Sequence, residues 1–257
     1  QYNFYRVFGV IDTGAIGPWG TRAFISASGA RNDNPFNNIG KVDKQQYNAR
    51  IYQPIGDNGD FISIAGHFNR NRNNFFGSVP LRTDLATPNG FPTTTEGRKY
   101  VIAPCTVADA RPGVADVANS CGSTYDERMN PSDTGNIRGQ SRFTLTDGLI
   151  LTVDPSYQYV KANGGGTVVA REGTFGVGGT QVTGYIGSTP YAGVDLNGDG
   201  DKLDTVRVLA PSQTQTHRYG VAASLIYEIN DTNRVRIAYT LDHARHRQTG
   251  ELDFIGI

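Results

Sequence analysis

The sequence predicts an all-β protein, an antiparallel, up-and-down set of about eight strands. Three observations predict it. Apolar and polar side chains alternate over stretches of about ten residues, and the stretches come in pairs around short turns. No apolar run reaches the roughly 18 residues of a membrane helix.

The clearest pair surrounds SLIYEINDTNRVRIAYTL, residues 224–241. In its first arm Tyr219, Val221, Ala223, Leu225, Tyr227 and Ile229 share one face, because successive side chains of a strand point to opposite sides. Gly220, Ala222, Ser224 and Glu228 share the other, with Ile226 the exception. In the second arm Val235, Ile237, Tyr239 and Leu241 oppose Arg234, Arg236, Ala238, Thr240 and Asp242. Two such runs around Asn-Asp-Thr-Asn make a hairpin. It spans roughly residues 216–247 and is the last of four.

The first hairpin pairs residues 1–12 with 21–33 across TGAIGPWG, and the second pairs 44–54 with 61–72 across IGDNGD. The third pairs 136–145 with 149–161 across TDG. There Ile137, Phe143, Leu145, Leu149, Leu151, Val153, Tyr157 and Tyr159 oppose Arg138, Gln140, Arg142, Thr144, Thr152, Asp154, Ser156 and Gln158. So many charged and amide groups on one face would be costly in a dry core. A hydrated lumen accepts them.

The hairpins are joined very differently. Residues 34–43 form a modest loop, whereas 73–135 and 162–215 are long, polar and rich in Gly, Pro, Asn and Thr. Connections in compact soluble domains usually run about four to six residues. Tight turns at one end of the strands and long excursions at the other are the pattern of an outer-membrane barrel. Residues 1–257 are therefore expected to form a transmembrane β-barrel or partial barrel, with long extracellular loops at about 73–135 and 162–215. Its lipid-facing set would include Leu149, Leu151, Val153, Val221, Leu225, Val235, Ile237 and Tyr239. Tyr157, Tyr159, Tyr227 and Tyr239 would form an aromatic girdle, or serve simply as good strand formers.

Lys plus Arg and Asp plus Glu number 24 each, so no global field points to a nucleic-acid partner. The two cysteines, Cys105 and Cys121, fall in one polar loop and read most simply as a disulfide formed in an oxidising compartment. The alternative is two unpaired thiols. The chain opens at Gln1 already in a strand pattern, as expected of a mature product or an internal piece.

The runs NIRGQSRFTLTDGLILTVDPSYQYVKANGGGT, GVDLNGDGDKLDTVRVLAPSQTQTHRYG and YTLDHARHRQTGE, with the opening RVFGVIDTGAIGPWGTRAFISAS, resemble the barrel of a TonB-dependent outer-membrane receptor of sphingomonad type. The resemblance implies energised import across the outer membrane of a Gram-negative bacterium. Such receptors bind scarce nutrients (siderophore-bound iron, cobalamin or oligosaccharides) at extracellular loops, and a TonB complex drives release inward. The family's 22-strand barrel needs about 220 residues at about ten per strand, before loops or plug. The sequence departs from the family in lacking a TonB box, a plug-like segment and a terminal aromatic strand. It is therefore expected to be an interior part of the barrel, in contact with outer-membrane lipid and meeting the TonB complex through parts outside this chain.

One local motif points to a cofactor. In DLNGDGDKLD, residues 195–204, Asp195, Asn197 and Asp199 alternate ahead of Gly200, as in the first half of a calcium loop, and Asp201 and Asp204 add further oxygens. The twelfth position is Val206 rather than a bidentate Glu. The run is equally readable as a solvated acidic turn. As for enzymes, the Gly-rich NGGGT and GVGGT lack the ending of a phosphate loop, and no GxSxG or HExxH occurs. His243 and His246 would point to opposite faces of a strand. No catalysis is expected. Tyr100, Tyr125, Arg128, Tyr185 and Tyr191 have the chemistry of ligand contacts, but no spacing singles them out. A second function class stands beside the receptor: a self-contained surface barrel or sandwich acting as a calcium-stabilised adhesin or structural protein.

Overall fold

A computed structural model describes residues 3–33, 40–74, 110–117, 129–164 and 166–254. Cys105 and Cys121 lie outside the described residues, and so does the expected disulfide; Tyr100, Tyr125 and Arg128 lie outside them too. Among the described residues there are fifteen strands and no helix. In chain order they are β1 (Tyr5–Ile16), β2 (Thr21–Asp33), β3 (Lys41–Ile55), β4 (Asp60–Asn73), β5 (Ser132–Thr146) and β6 (Leu149–Asn163). Then come β7 (Thr167–Arg171), β8 (Phe175–Val177), β9 (Thr180–Val182), β10 (Gly184–Ile186), β11 (Thr189–Tyr191) and β12 (Thr205–Leu209). The last three are β13 (Ser212–Asn230), β14 (Asn233–Gly250) and β15 (Asp253–Phe254).

The eight long strands form one antiparallel sheet in the order β1-β2-β3-β4-β5-β6-β13-β14. They are the eight expected from the alternation: β2 matches the expected 21–33, β1 is shifted from 1–12 to Tyr5–Ile16 at the same length, and the other six extend beyond the expected bounds. The sheet does not close: β1 and β14 are its two edges. The all-β, antiparallel, up-and-down arrangement is thus observed, and barrel closure is not.

Register places the alternation on two distinct faces. Ile11, Ile25, Ala49, Gly66, Ile137, Tyr157 and Tyr219 form one row across β1 to β13, and Ile64, Ile51, Val221 and Leu241 belong to the same face. All eight side chains expected to face lipid lie on it. Many of its large apolar members are exposed, Ile237 to 70% and Ile11 to 68%, while Leu149, Leu151, Val153 and Val221 are half-buried. The other face carries Asn48, Arg50, His67, Arg138, Gln158, Arg218 and Arg236, and cross-strand hydrogen bonds tie Asn48, Arg50, His67, Arg218 and Arg236 to their neighbours. Its buried serines each receive a donor: Asn48 Nδ2 to Ser26 Oγ at 3.2 Å, Arg50 Nε to Ser63 Oγ at 2.9 Å, and Arg236 Nη2 to Ser224 Oγ at 2.7 Å. Ile226, the exception in its strand, pairs here with Ile150, the one buried apolar side chain of this sheet among the described residues.

Two local devices hold the third hairpin. Pro155 has no N–H to give the ladder, and the β5–β6 pairing lapses between Arg138/Ser156 and Phe143/Leu151. Side chains bridge the gap: Ser141 Oγ donates to Val153 O at 2.7 Å and accepts from Val153 N at 3.1 Å, while Asp154 Oδ1 accepts from Ser141 N at 3.0 Å. In the turn, Gly148 has φ of +71°, and an added Cβ would lie 2.7 Å from Glu228 O. The close approach is fixed by Glu228 N donating to Gly148 O at 2.7 Å.

The long excursion at 162–215 is more than a loop. It contains β7 to β12, and with β15 four of these strands build a second sheet in the order β10-β11-β7-β12-β15, beside a β8-β9 hairpin. Val206 pairs with Ala170 and Val208 with Val168 across the β7–β12 ladder. Ala170, Val206 and Val208 are buried, three of the four buried apolar side chains among the described residues. Among the described residues, most of the buried apolar core is therefore in this small sheet.

Candidate functional site

The β7–β12 ladder ends by bringing two acids together. Arg171 pairs with Thr205, and one step further Glu172 N donates to Asp204 O at 3.0 Å. Glu172 is fully buried and Asp204 is 1% exposed. Like charges side by side on neighbouring strands repel, and burial denies them water.

The loop between β11 and β12 folds onto this pair. Glu172 Oε1 accepts from Leu196 N at 2.6 Å and Asn197 N at 3.1 Å. Asp204 Oδ2 accepts from Asn197 Nδ2 at 2.8 Å. Residues 110–117, from the first long excursion, close the other side: Asp116 N donates to Asp204 Oδ1 at 2.6 Å, and Gly113 N to Asp201 Oδ2 at 2.6 Å. Five carboxylates result, in two overlapping groups, Asp116–Asp199–Asp204 and Glu172–Asp201–Asp204. Within each group the ligand atoms all lie within 4.8 Å of one another.

Their surroundings tune them differently. Burial pushes the Glu172 carboxyl above the usual glutamate range, against the two amides that donate to it, and the charge of Asp204 adds to the rise. The hydrogen bond from Arg111, at 2.8 Å, holds Asp116 below the usual aspartate range and raises Arg111 in turn. Among the described residues, Arg111 is the one cation paired with a member of the group. Lys202, within the same loop, donates instead to Gly193 O at 2.9 Å. Glu172 Oε2 and Asp199 Oδ2 are buried with no hydrogen-bond partner among the described residues.

Of the residues expected from the DLNGDGDKLD motif, Asp199, Asp201 and Asp204 are in the cluster. Asn197 serves it indirectly, through its side-chain bond to Asp204. Asp195 is in neither group. Its carboxylate accepts from Gly200 N at 2.9 Å and Gly198 N at 2.6 Å, which depresses its pKa and shapes the loop. Glu172 and Asp116 were not visible as members, because they come from segments remote in sequence. Their one signal is weak: Glu172 follows TVVAR, an apolar run bounded by glycines.

The other expected residues fall elsewhere. Tyr191 packs on Phe175 with ring centroids 5.3 Å apart and under Arg171, while Tyr185 stays exposed; the two lie on neighbouring strands without forming a shared site. His243 pairs with Tyr219 and His246 with Thr216, so the two rings lie on opposite faces as expected. Tyr157 and Tyr159 cluster with Tyr219 and His217; Tyr157 OH is 2.8 Å from His217 Nδ1. Tyr227 lies at the opposite, short-turn end of the sheet, and Tyr239 between the two levels, opposite Ala223.

Compared with known protein families the chain matches none, and no curated protein matches it.

Proposed function

We propose that this chain is part of a TonB-dependent outer-membrane receptor, contributing strands to the barrel wall and loops to nutrient capture at the cell surface. The observation that carries the reading is the two-sided character of the large sheet. Its apolar face is largely exposed, while its polar face is laced by cross-strand hydrogen bonds and makes no dry core. A soluble sandwich would bury the first face against a second sheet. Lipid outside and water inside suit both faces at once.

Dimensions support the reading. Tyr219 and Tyr227 stand eight residues apart on β13 with Val221, Ala223 and Leu225 between them on the same face. Eight residues rise about 26 Å along a strand. Tilted by about 40°, that spans about 20 Å, near the roughly 25 Å apolar band of an outer-membrane barrel between its aromatic girdles. The two unpaired edges, β1 and β14, suit a wall continued by further strands. The cargo class would be a siderophore-bound iron, a cobalamin or an oligosaccharide.

Two measurements test this. The purified chain should require detergent or lipid and should float with phospholipid vesicles in a density gradient; a monodisperse monomer in plain buffer would overturn it. The parent gene, read on both sides of Gln1 and Ile257, should encode a plug-length region upstream and further alternating strands downstream. A stop directly after Ile257, behind nothing but a signal peptide, would remove transport and favour the surface adhesin.

A further inference from the structure

We propose that Glu172, Asp199, Asp201 and Asp204, joined by Asp116, hold one calcium ion that fastens residues 110–117 to the small sheet. The inference stands apart from the membrane reading, since the ligands come from the small sheet, its loops and residues 110–117, and none from the large sheet.

The cluster alone would be an acidic turn. What makes it a site is Glu172, a fully buried carboxylate whose Oε1 is satisfied by two amides and whose Oε2 faces no donor among the described residues. An unpaired buried acceptor of this kind costs free energy unless something positive meets it. Asp199 Oδ2 is orphaned in the same way. The ladder forces Glu172 against Asp204, so the conflict is built into the fold rather than left to a mobile side chain.

The donor set selects the ion. Its members are carboxylates, hard oxygen ligands without thiolate or imidazole, which favour calcium or magnesium over zinc or copper. They come from three separate segments and are already partly engaged by amides. Such an irregular shell of oxygens suits calcium, whereas magnesium demands near-octahedral geometry and retains its waters. The role follows from the segments joined. Residues 110–117 reach Asp204 and Asp201 by backbone N–H hydrogen bonds and accept one from Thr205 N at Asp116 O, and Asp116 adds the carboxylate that an ion would bridge.

The test is calorimetric titration of the full chain, stripped with EDTA, with calcium chloride and then magnesium chloride. The wild type is expected to take up one calcium per chain with a Kd of about 0.1–1 mM, and to bind magnesium more weakly. Glu172→Gln and Asp204→Asn should each weaken uptake about tenfold or more, and Asp195→Asn by less than about threefold, because its oxygens serve the loop amides instead. Calcium should also slow tryptic cleavage after Lys202 in the wild type and not in Glu172→Gln. If Glu172→Gln does not fold, Asp199→Asn carries the same expectation. No uptake by the wild type up to about 10 mM calcium would overturn the site. So would loss of uptake in Asp195→Asn with retention in Glu172→Gln, which would return binding to the linear loop motif. Greater protease resistance of Glu172→Gln than wild type in calcium would mean that a shared proton, not an ion, relieves the buried pair.

Discussion

Val208 in the small sheet is 3% exposed and Ile237 in the large sheet 70%, although both sit in strands whose side chains alternate. In the small sheet apolar groups go inward, in the ordinary sense of a water-soluble core, and the buried carboxylates are the anomaly. In the large sheet many apolar groups lie exposed on one face, and arginines, asparagines and serines occupy the bonded face. One chain thus carries two opposite solutions to the same alternation. The difference teaches that period alone fixes which residues share a face, while the surrounding solvent decides which face is outside.

Placing the same charge at both positions separates the two solutions most strongly. Val208→Arg should cost about 3–5 kcal/mol in any medium, because it buries an unpaired charge in the apolar core of the small sheet. Protease resistance of residues 167–209 should be lost in buffer, detergent and vesicles alike. Ile237→Arg should be nearly silent in solution and cost about 2–4 kcal/mol in a bilayer. Equal effects of Ile237→Arg with and without lipid would break the comparison and give the large sheet a conventional core.

The next largest effect falls within the large sheet. Gly148→Ala places a Cβ in the left-handed region and 2.7 Å from Glu228 O, where the β5–β6 turn touches β13. The left-handed conformation alone costs about 1–2 kcal/mol, and the contact adds to it. The expected reading is a lower denaturation midpoint of the large sheet with the calcium affinity of the small one unchanged. A shift in both would mean that the two sheets unfold as one unit.

The alternation made the large sheet legible and left the small one hidden. Tyr219 to Ile229 and Val235 to Leu241 announce their strands because many consecutive pairs repeat the pattern. Even Pro155, which argues against a strand interior, is overridden by the length of β6 and by Ser141 and Asp154 replacing the lost ladder bonds. In the small sheet the strands have two to five residues, too few to establish a period, and β7 finds its partner β12 more than thirty residues later. The candidate site divides in the same way. Asp199, Asp201 and Asp204 were legible in one contiguous motif, whereas Asp116 lies 88 residues from Asp204 and only the fold joins them. Asp195 stands outside both carboxylate groups, and its oxygens accept from the Gly198 and Gly200 amides of its own loop, a difference that a first-position aspartate does not show in sequence.

The smallest effect probes the polar face directly. Arg236 donates through Nε at 3.0 Å and Nη2 at 2.7 Å to Ser224 Oγ, a buried hydroxyl on the neighbouring strand. In a dry core, removing the guanidinium would leave that hydroxyl stranded at a cost of about 1–3 kcal/mol. On a water-filled face the solvent replaces the donor, and Arg236→Ala should change stability by about 0.5 kcal/mol or less. Chemical denaturation of the chain in detergent distinguishes the two. A loss near the upper range would mean that water does not reach the bonded face, and the lumen reading of the large sheet would fall even if its apolar side binds lipid.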